Sequence, residues 1–116
     1  MNLELVTKQK LERKLVNICA NHFAFKKEVF EKYNLTEEDK LAIYIDKDEP
    51  YVQSIYFVKA TKKEINDAYT VTLSKGTFKI GASKFIKNYE INLEANWIIK
   101  HIPVTGMKGF RMIMEN

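Results

Sequence analysis

Eleven residues recur in pattern fifty-five positions further along the chain. Leu15–Phe25 lies over Thr70–Ile80 so that Val16 meets Val71, Ile18 meets Leu73, Phe23 meets Phe78 and Phe25 meets Ile80. Asn21 falls on Gly76, and these are the residue types that best tolerate positive φ. Each segment alternates apolar and polar residues, breaks at a turn, and alternates again, which predicts a β-hairpin in both places. Phe30 and Phe85 match at the same offset. After one inserted residue, Leu35 meets Ile91, Leu41 meets Trp97, Ile43 meets Ile99 and Ile45 meets His101. A repeat of this length restricts the fold more than any single motif does, because two similar units must either stand alone or complete one another.

The elements inside each unit follow from local chemistry. In the first, Leu15–Ile18 and His22–Phe25 form the hairpin, and Lys26–Tyr33 reads as a short helix with Val29, Phe30 and Tyr33 on one side. Asn34 stops that helix. A polar turn over Thr36–Asp39 leads to a strand at Leu41–Ile45, a turn ending at Pro50, and a closing strand at Val52–Ala60. The second unit gives strands at Tyr69–Leu73 and Thr77–Ile80, a helix at Ala82–Tyr89, and strands at Asn96–Ile102 and Phe110–Met114. The units span residues 15–60 and 69–114 and are joined by a polar stretch, 61–68, that reads as a linker or one helical turn. Residues 1–14 are a basic segment in which Leu3 and Leu5 suggest a strand start and Lys8–Lys14 a short helix.

The chain is 116 residues long, which suits one domain with an ordinary hydrophobic core. Its longest uncharged apolar run, Trp97-Ile98-Ile99, is far too short to span a membrane, and Glu4 sits where an export signal needs apolar residues. Cys19 is the single cysteine, which excludes an internal disulfide and fits a reducing cytoplasm. The net charge of +4 is unevenly spread: residues 1–14 carry +2, 15–60 carry −2 and 61–116 carry +4. Such asymmetry points toward nucleic acid, although a solvated lysine surface explains the charge equally well. Only Arg13 and Arg111 are arginines; the other basic residues are lysines. That bias favours phosphate contact over bidentate reading of bases.

The string His22–Ile45 resembles the AbrB-type swapped-hairpin domain: a strand, a short helix of the P-x-E-L-R kind, an aliphatic residue, a polar turn ending in Asp, and an alternating strand. Ser74-Lys75-Gly76-Thr77-Phe78-Lys79-Ile80 resembles the entry to that pattern, K-G-q-v-t-I-P. The resemblance implies a mainly β, α+β fold in which two ββαββ units interleave as one small pseudo-twofold β-barrel. Family members usually take the two units from two subunits. Here one chain holds both, so a monomer can close the barrel and a dimer would need another surface. The resemblance also implies a DNA-binding regulator or the antidote half of a toxin–antitoxin pair. The departures fall on the base readers. The junction Pro is Lys26 in one unit and Gly81 in the other, the arginine before the second strand is His22 and Thr77, and the paired helix arginines fall on Phe30-Glu31 and Phe85-Ile86.

Enzymatic signatures are missing: there is no Gly-rich phosphate loop, G-x-S-x-G or H-E-x-x-H. His22 and His101 are the only histidines. No Lys or Arg lies close to Cys19, so nothing marks it as an activated nucleophile. Asp46, Asp48 and Glu49 lack the Gly and later Glu of a calcium loop and read as a solvated turn. No metal or cofactor is expected. The candidate contacts are lysines: Lys26 and Lys27 opening the first helix, Lys75 at the second hairpin turn, Lys79 on the strand face opposite Phe78 and Ile80, and Lys84 and Lys87 on one helix face. Tyr44, Tyr51, Tyr56 and Tyr69 are the aromatics able to stand outside a core and stack on bases. The expected function is non-enzymatic DNA binding in the cytoplasm; the alternative is a protein-binding module, an inhibitor, antidote or adaptor, on the same scaffold.

Overall fold

The computed structural model describes residues 1–5 and 15–115. The element order is β1 (Val16–Ile18), β2 (His22–Lys26), α1 (Lys27–Lys32), β3 (Leu41–Ile45), β4 (Ser54–Lys59), a 3-10 turn (Ile65–Asp67), β5 (Val71–Ser74), β6 (Thr77–Gly81), α2 (Ser83–Asn88), β7 (Asn96–His101) and β8 (Gly109–Glu115). The fold is mainly β. Two four-stranded antiparallel sheets form, in the orders β1-β2-β6-β5 and β3-β4-β8-β7. The expected helix over Lys8–Lys14 lies outside the described residues. Leu3 and Leu5, read as a strand start, are exposed and outside regular structure.

Each sheet is joined across its middle by strands far apart in sequence. In the first, Phe23 pairs with Ile80, Ala24 with Lys79 and Phe25 with Phe78. In the second, Ile55 pairs with Met112, Tyr56 with Arg111 and Phe57 with Phe110. Bonds beyond the strands continue both registers: the Lys27 N–H donates to the Gly76 carbonyl at 3.2 Å and the Ala82 N–H to Asn21 at 2.9 Å, while the Lys59 N–H donates to Lys108 and the Met114 N–H to Gln53, both at 2.8 Å.

The sheets pack face to face because alternation sends the apolar side of each inward. Phe23 and Phe25 meet Phe57 edge-on at 5.2 and 5.1 Å, and Phe25 meets Phe110 at 5.0 Å. The short helices fill in beside them. Phe30 of α1 stacks on Phe78 at 4.1 Å, and Phe85 of α2 lies 6.2 Å from Phe23. Phe23, Phe30, Phe78 and Phe85 are all buried, as the spacing predicts.

Both helices end in the same way. The Leu35 N–H donates to Phe30 O and the Asn34 N–H to Glu31 O; the Ile91 N–H donates to Ile86 O and the Glu90 N–H to Lys87 O. This is the Schellman arrangement, with the residue past the cap in the left-handed region: Asn34 at φ 57° and Glu90 at φ 50°. These bonds align α1 with α2 at an offset of 56, so Phe30 corresponds in backbone position to Ile86 and Val29 to Phe85. The offset therefore changes from 55 to 56 where β6 passes into α2, ahead of the helix, whereas the sequence places the extra residue after it.

Four further expectations are corrected. No closed hydrogen-bonded barrel forms among the described residues, because β1 and β5 end one sheet and β3 and β7 the other. Among the described residues a hydrogen-bonded join between the sheets runs through Leu41 and Tyr69, which exchange bonds of 2.7 and 3.0 Å; Tyr69 therefore bridges to the second sheet and β5 begins only at Val71. Asn21 is not among the residues at positive φ; the second hairpin alone uses them, at Lys75 (φ 49°) and Gly76 (φ 75°). A type I′ turn needs positive φ at both central residues and a type II′ turn at the first, and Ala20 ahead of Asn21 would be strained in either. Lys26 is extended (φ −65°, ψ 149°) and ends β2 rather than opening α1.

Candidate nucleic-acid interface

The outer face of the first sheet is built from short, uncharged side chains with cations set among them. Alternation turns Phe23, Phe25, Phe78 and Ile80 inward, which leaves His22, Ala24 and Lys26 on β2 and Thr77, Lys79 and Gly81 on β6 facing out. Asn17 stands opposite Ala24, and Thr72 opposite Lys79, so the row through the middle reads Asn17, Ala24, Lys79, Thr72. No residue of these four strands is Asp or Glu.

The structure brings three of the six candidate lysines to one end of that face. Lys26 pairs with Thr77, which pairs with Ser74 beside the Lys75-Gly76 turn, and the Lys27 N–H is bonded to Gly76. Lys79 sits at the centre. Lys84 and Lys87 lie on the exposed side of α2, whose start is tied to the opposite hairpin tip by the bond from Ala82 to Asn21. The two ends are separated by four strand residues, roughly 13 Å. Lys26 and Lys79 thus stand on the strand face itself, Lys75 and Lys27 lie at the turn and helix start beyond one end, and Lys84 and Lys87 lie on the helix beyond the other, so the six do not form one cluster. Lys27 forms an exposed i,i+4 pair with Glu31 at 3.5 Å, a bond worth little in water and one a phosphate can replace.

Cys19 and His22 occupy the far corner, with Cys19 Sγ 3.1 Å from His22 Nδ1 at an exposed turn. The sequence held the signal, since cross-strand partners flanking a two-residue loop lie three apart, but only the hairpin register makes them neighbours. Among the described residues no group of three or more His, Cys, Asp or Glu is placed to hold a metal ion. Among the described residues, none of the helices is long and apolar enough to cross a membrane.

Away from this face, Asp39 braces the loop before β3. Its carboxylate accepts the Thr36 N–H at 2.9 Å and lies 3.3 Å from Lys59 Nζ. Burial acts to raise its pKa, but the Thr36 N–H, Lys59 and Lys108 outweigh that and hold it below the usual value. Of the four tyrosines that could stand outside, Tyr44 and Tyr51 are exposed, while Tyr56 and Tyr69 are half-buried. The chain matches no protein-family model, no curated protein and no solved structure.

Proposed function

We propose that this chain is a non-enzymatic DNA-binding protein built from two ββαββ units in a swapped-hairpin arrangement, and that the outer face of the β1-β2-β6-β5 sheet lies against the phosphate backbone of duplex DNA. The observation that carries the reading is a strand face without a carboxylate, with Lys79 at its centre and Lys26, Lys27 and Lys75 gathered at one end. Small neighbours such as Ala24, Thr77 and Gly81 leave the ammonium groups as the highest points, where a rod of phosphates meets them first. Lysine in place of arginine gives charge neutralisation without bidentate base reading. The two-unit arrangement is supported by bonds that recur in exchanged pairs: Lys27 with Gly76 as Ala82 with Asn21, and Lys59 with Lys108 as Met114 with Gln53, each at an offset of 55.

Binding of this kind falls with salt, with a log–log slope near −0.9 per neutralised phosphate. Lys79→Glu and Lys75→Glu should weaken binding to every duplex alike and flatten the slope by about one unit each. Titration of several unrelated duplexes at low and moderate salt measures this. Absence of binding to any duplex at low salt overturns the reading and favours the protein-binding alternative.

A further inference from the structure

The outer face of the other sheet carries a different chemistry. Tyr44 pairs with Tyr56, Tyr56 with Arg111 and Arg111 with Lys100, so these four side chains form one row across β3, β4, β8 and β7. Their inward neighbours, Ile43, Ile55, Phe57, Phe110, Met112 and Ile99, face the core, which fixes the row on the outside. Tyr44 is 41% exposed. Its hydroxyl donates to Glu64, whose carboxylate also accepts the Thr61 hydroxyl at 2.6 Å. The ring is therefore held by its edge, and the carboxylate is already engaged. The Arg111 Nε donates to the His101 carbonyl at 3.0 Å, which anchors the guanidinium with its other N–H groups still able to donate.

The row is bordered by Ser54, Ile113 and Ile98 on one side. On the other side Ala42 and Val58 are buried outside the core cluster, Val58 beside Ala60, Thr61, Glu64 and Met107 of the connecting segments. Glu115, at the far end of β8, accepts from Asn96 Nδ2 at 3.0 Å.

We propose that this face binds single-stranded DNA, with bases stacking on Tyr44 and Tyr56 and the backbone running toward Arg111 and Lys100. Two rings followed by two cations on neighbouring strands provide the pairing that unpaired nucleotides need: a π surface for the base and a positive charge for the phosphate. A duplex keeps its base faces stacked inside and cannot use the rings. Ile98 and Ile113, beside which a sugar would lie, offer no partner to a 2′-hydroxyl, so the face suits deoxyribose over ribose. This surface is separate from the lysine face and stands or falls independently of it.

The test is fluorescence anisotropy of a labelled fifteen-nucleotide dT oligomer with the full chain. The Tyr44→Leu/Tyr56→Leu variant, which keeps apolar bulk, should bind dT about tenfold or more weakly and duplex DNA within about twofold of the parent. Lys26→Glu/Lys79→Glu should do the reverse. Thermal melting establishes that each variant is folded, and Arg111→Gln gives a second probe of the row that leaves both rings in place, with an expected loss of about fivefold. The proposal is overturned if the parent chain does not bind dT, if the leucine variant binds it as well as the parent, if both variant sets lose dT equally, or if the matching rU oligomer binds more tightly.

Discussion

On its inner side the β1-β2-β6-β5 sheet contributes Phe23, Phe25, Phe78 and Ile80, and the β3-β4-β8-β7 sheet meets it with Ile55, Phe57, Phe110 and Met112. On the outer side the resemblance between the sheets ends. One presents Asn, Ala, Thr, Gly and lysine; the other presents two tyrosines, an arginine, a lysine and isoleucines. The comparison teaches that the inward positions are constrained by mutual packing, whereas alternation leaves the outward positions free to take up different chemistry on the same framework.

If the inner faces are energetically matched, Phe23→Ala and Phe57→Ala should each cost about 3–5 kcal/mol in denaturant unfolding. Both rings are fully buried and 5.2 Å apart. A cost under about 1 kcal/mol for either one would break the comparison, because that sheet would then not share the core. A double-mutant cycle should show coupling, as expected for rings in contact.

Two glycines sharpen the comparison at the next level. At Gly109, on β8, an added Cβ would lie 2.0 Å from the Phe57 carbonyl oxygen, in a backbone with φ 154°. Gly109→Ala should therefore cost about 3 kcal/mol or more, through backbone displacement at the β4–β8 join. Gly76, in the turn of the first sheet, has open space around it and a φ of 75°. Gly76→Val should cost about 1–3 kcal/mol, while Gly76→Asn should cost less, since Asn tolerates that conformation. Equal unfolding midpoints for Gly76→Val and the parent would place the turn elsewhere.

The helix ends predict a gain. Glu90 holds the left-handed position that Asn34 fills after α1. Glu90→Gly should stabilise by about 1 kcal/mol and Asn34→Gly by less, as thermal melts would record.

The smallest effect is one of pH. The folded Asp39 carboxyl titrates below its ordinary value of 3.8, so its contribution is complete above that value and is lost as pH falls through the lower, folded one. Acid unfolding of Asp39→Asn should lack this increment, while Glu38→Gln, whose carboxylate braces no such contact, should retain it.

Much of this architecture is legible in the sequence. Alternation in Leu41–Ile45 locates β3 to the residue, and alternation about a turn locates both early hairpins, with Val16 opposite Phe25 and Val71 opposite Ile80. Boundaries slip where backbone conformation outvotes residue type: Lys26 is a good helix former but remains extended because its N–H bonds to Leu15 across the hairpin. The inserted residue is misplaced because Phe85 and Ile86 are both apolar, and either aligns with Phe30. Of the lysine face, each cation is visible in the sequence, but the grouping of Lys26, Lys27 and Lys75 depends on β2 pairing with β6. The row from Tyr44 to Lys100 is harder to see. Its members come from four strands, and Arg111 stands opposite Tyr56 only through the register of β4 with β8.

The central joins also set an order of assembly. β2 and β4 each find one of their two partners only after β6 and β8 exist, more than fifty residues later in the chain. Until then the first half has two hairpins with open edges and unpaired phenylalanines, the state most exposed to misassociation. Contacts of such long sequence separation slow the search for the native state. A ribosome-held chain ending near residue 60 should thus remain sensitive to protease, and protection should arrive in one step once β8 has emerged.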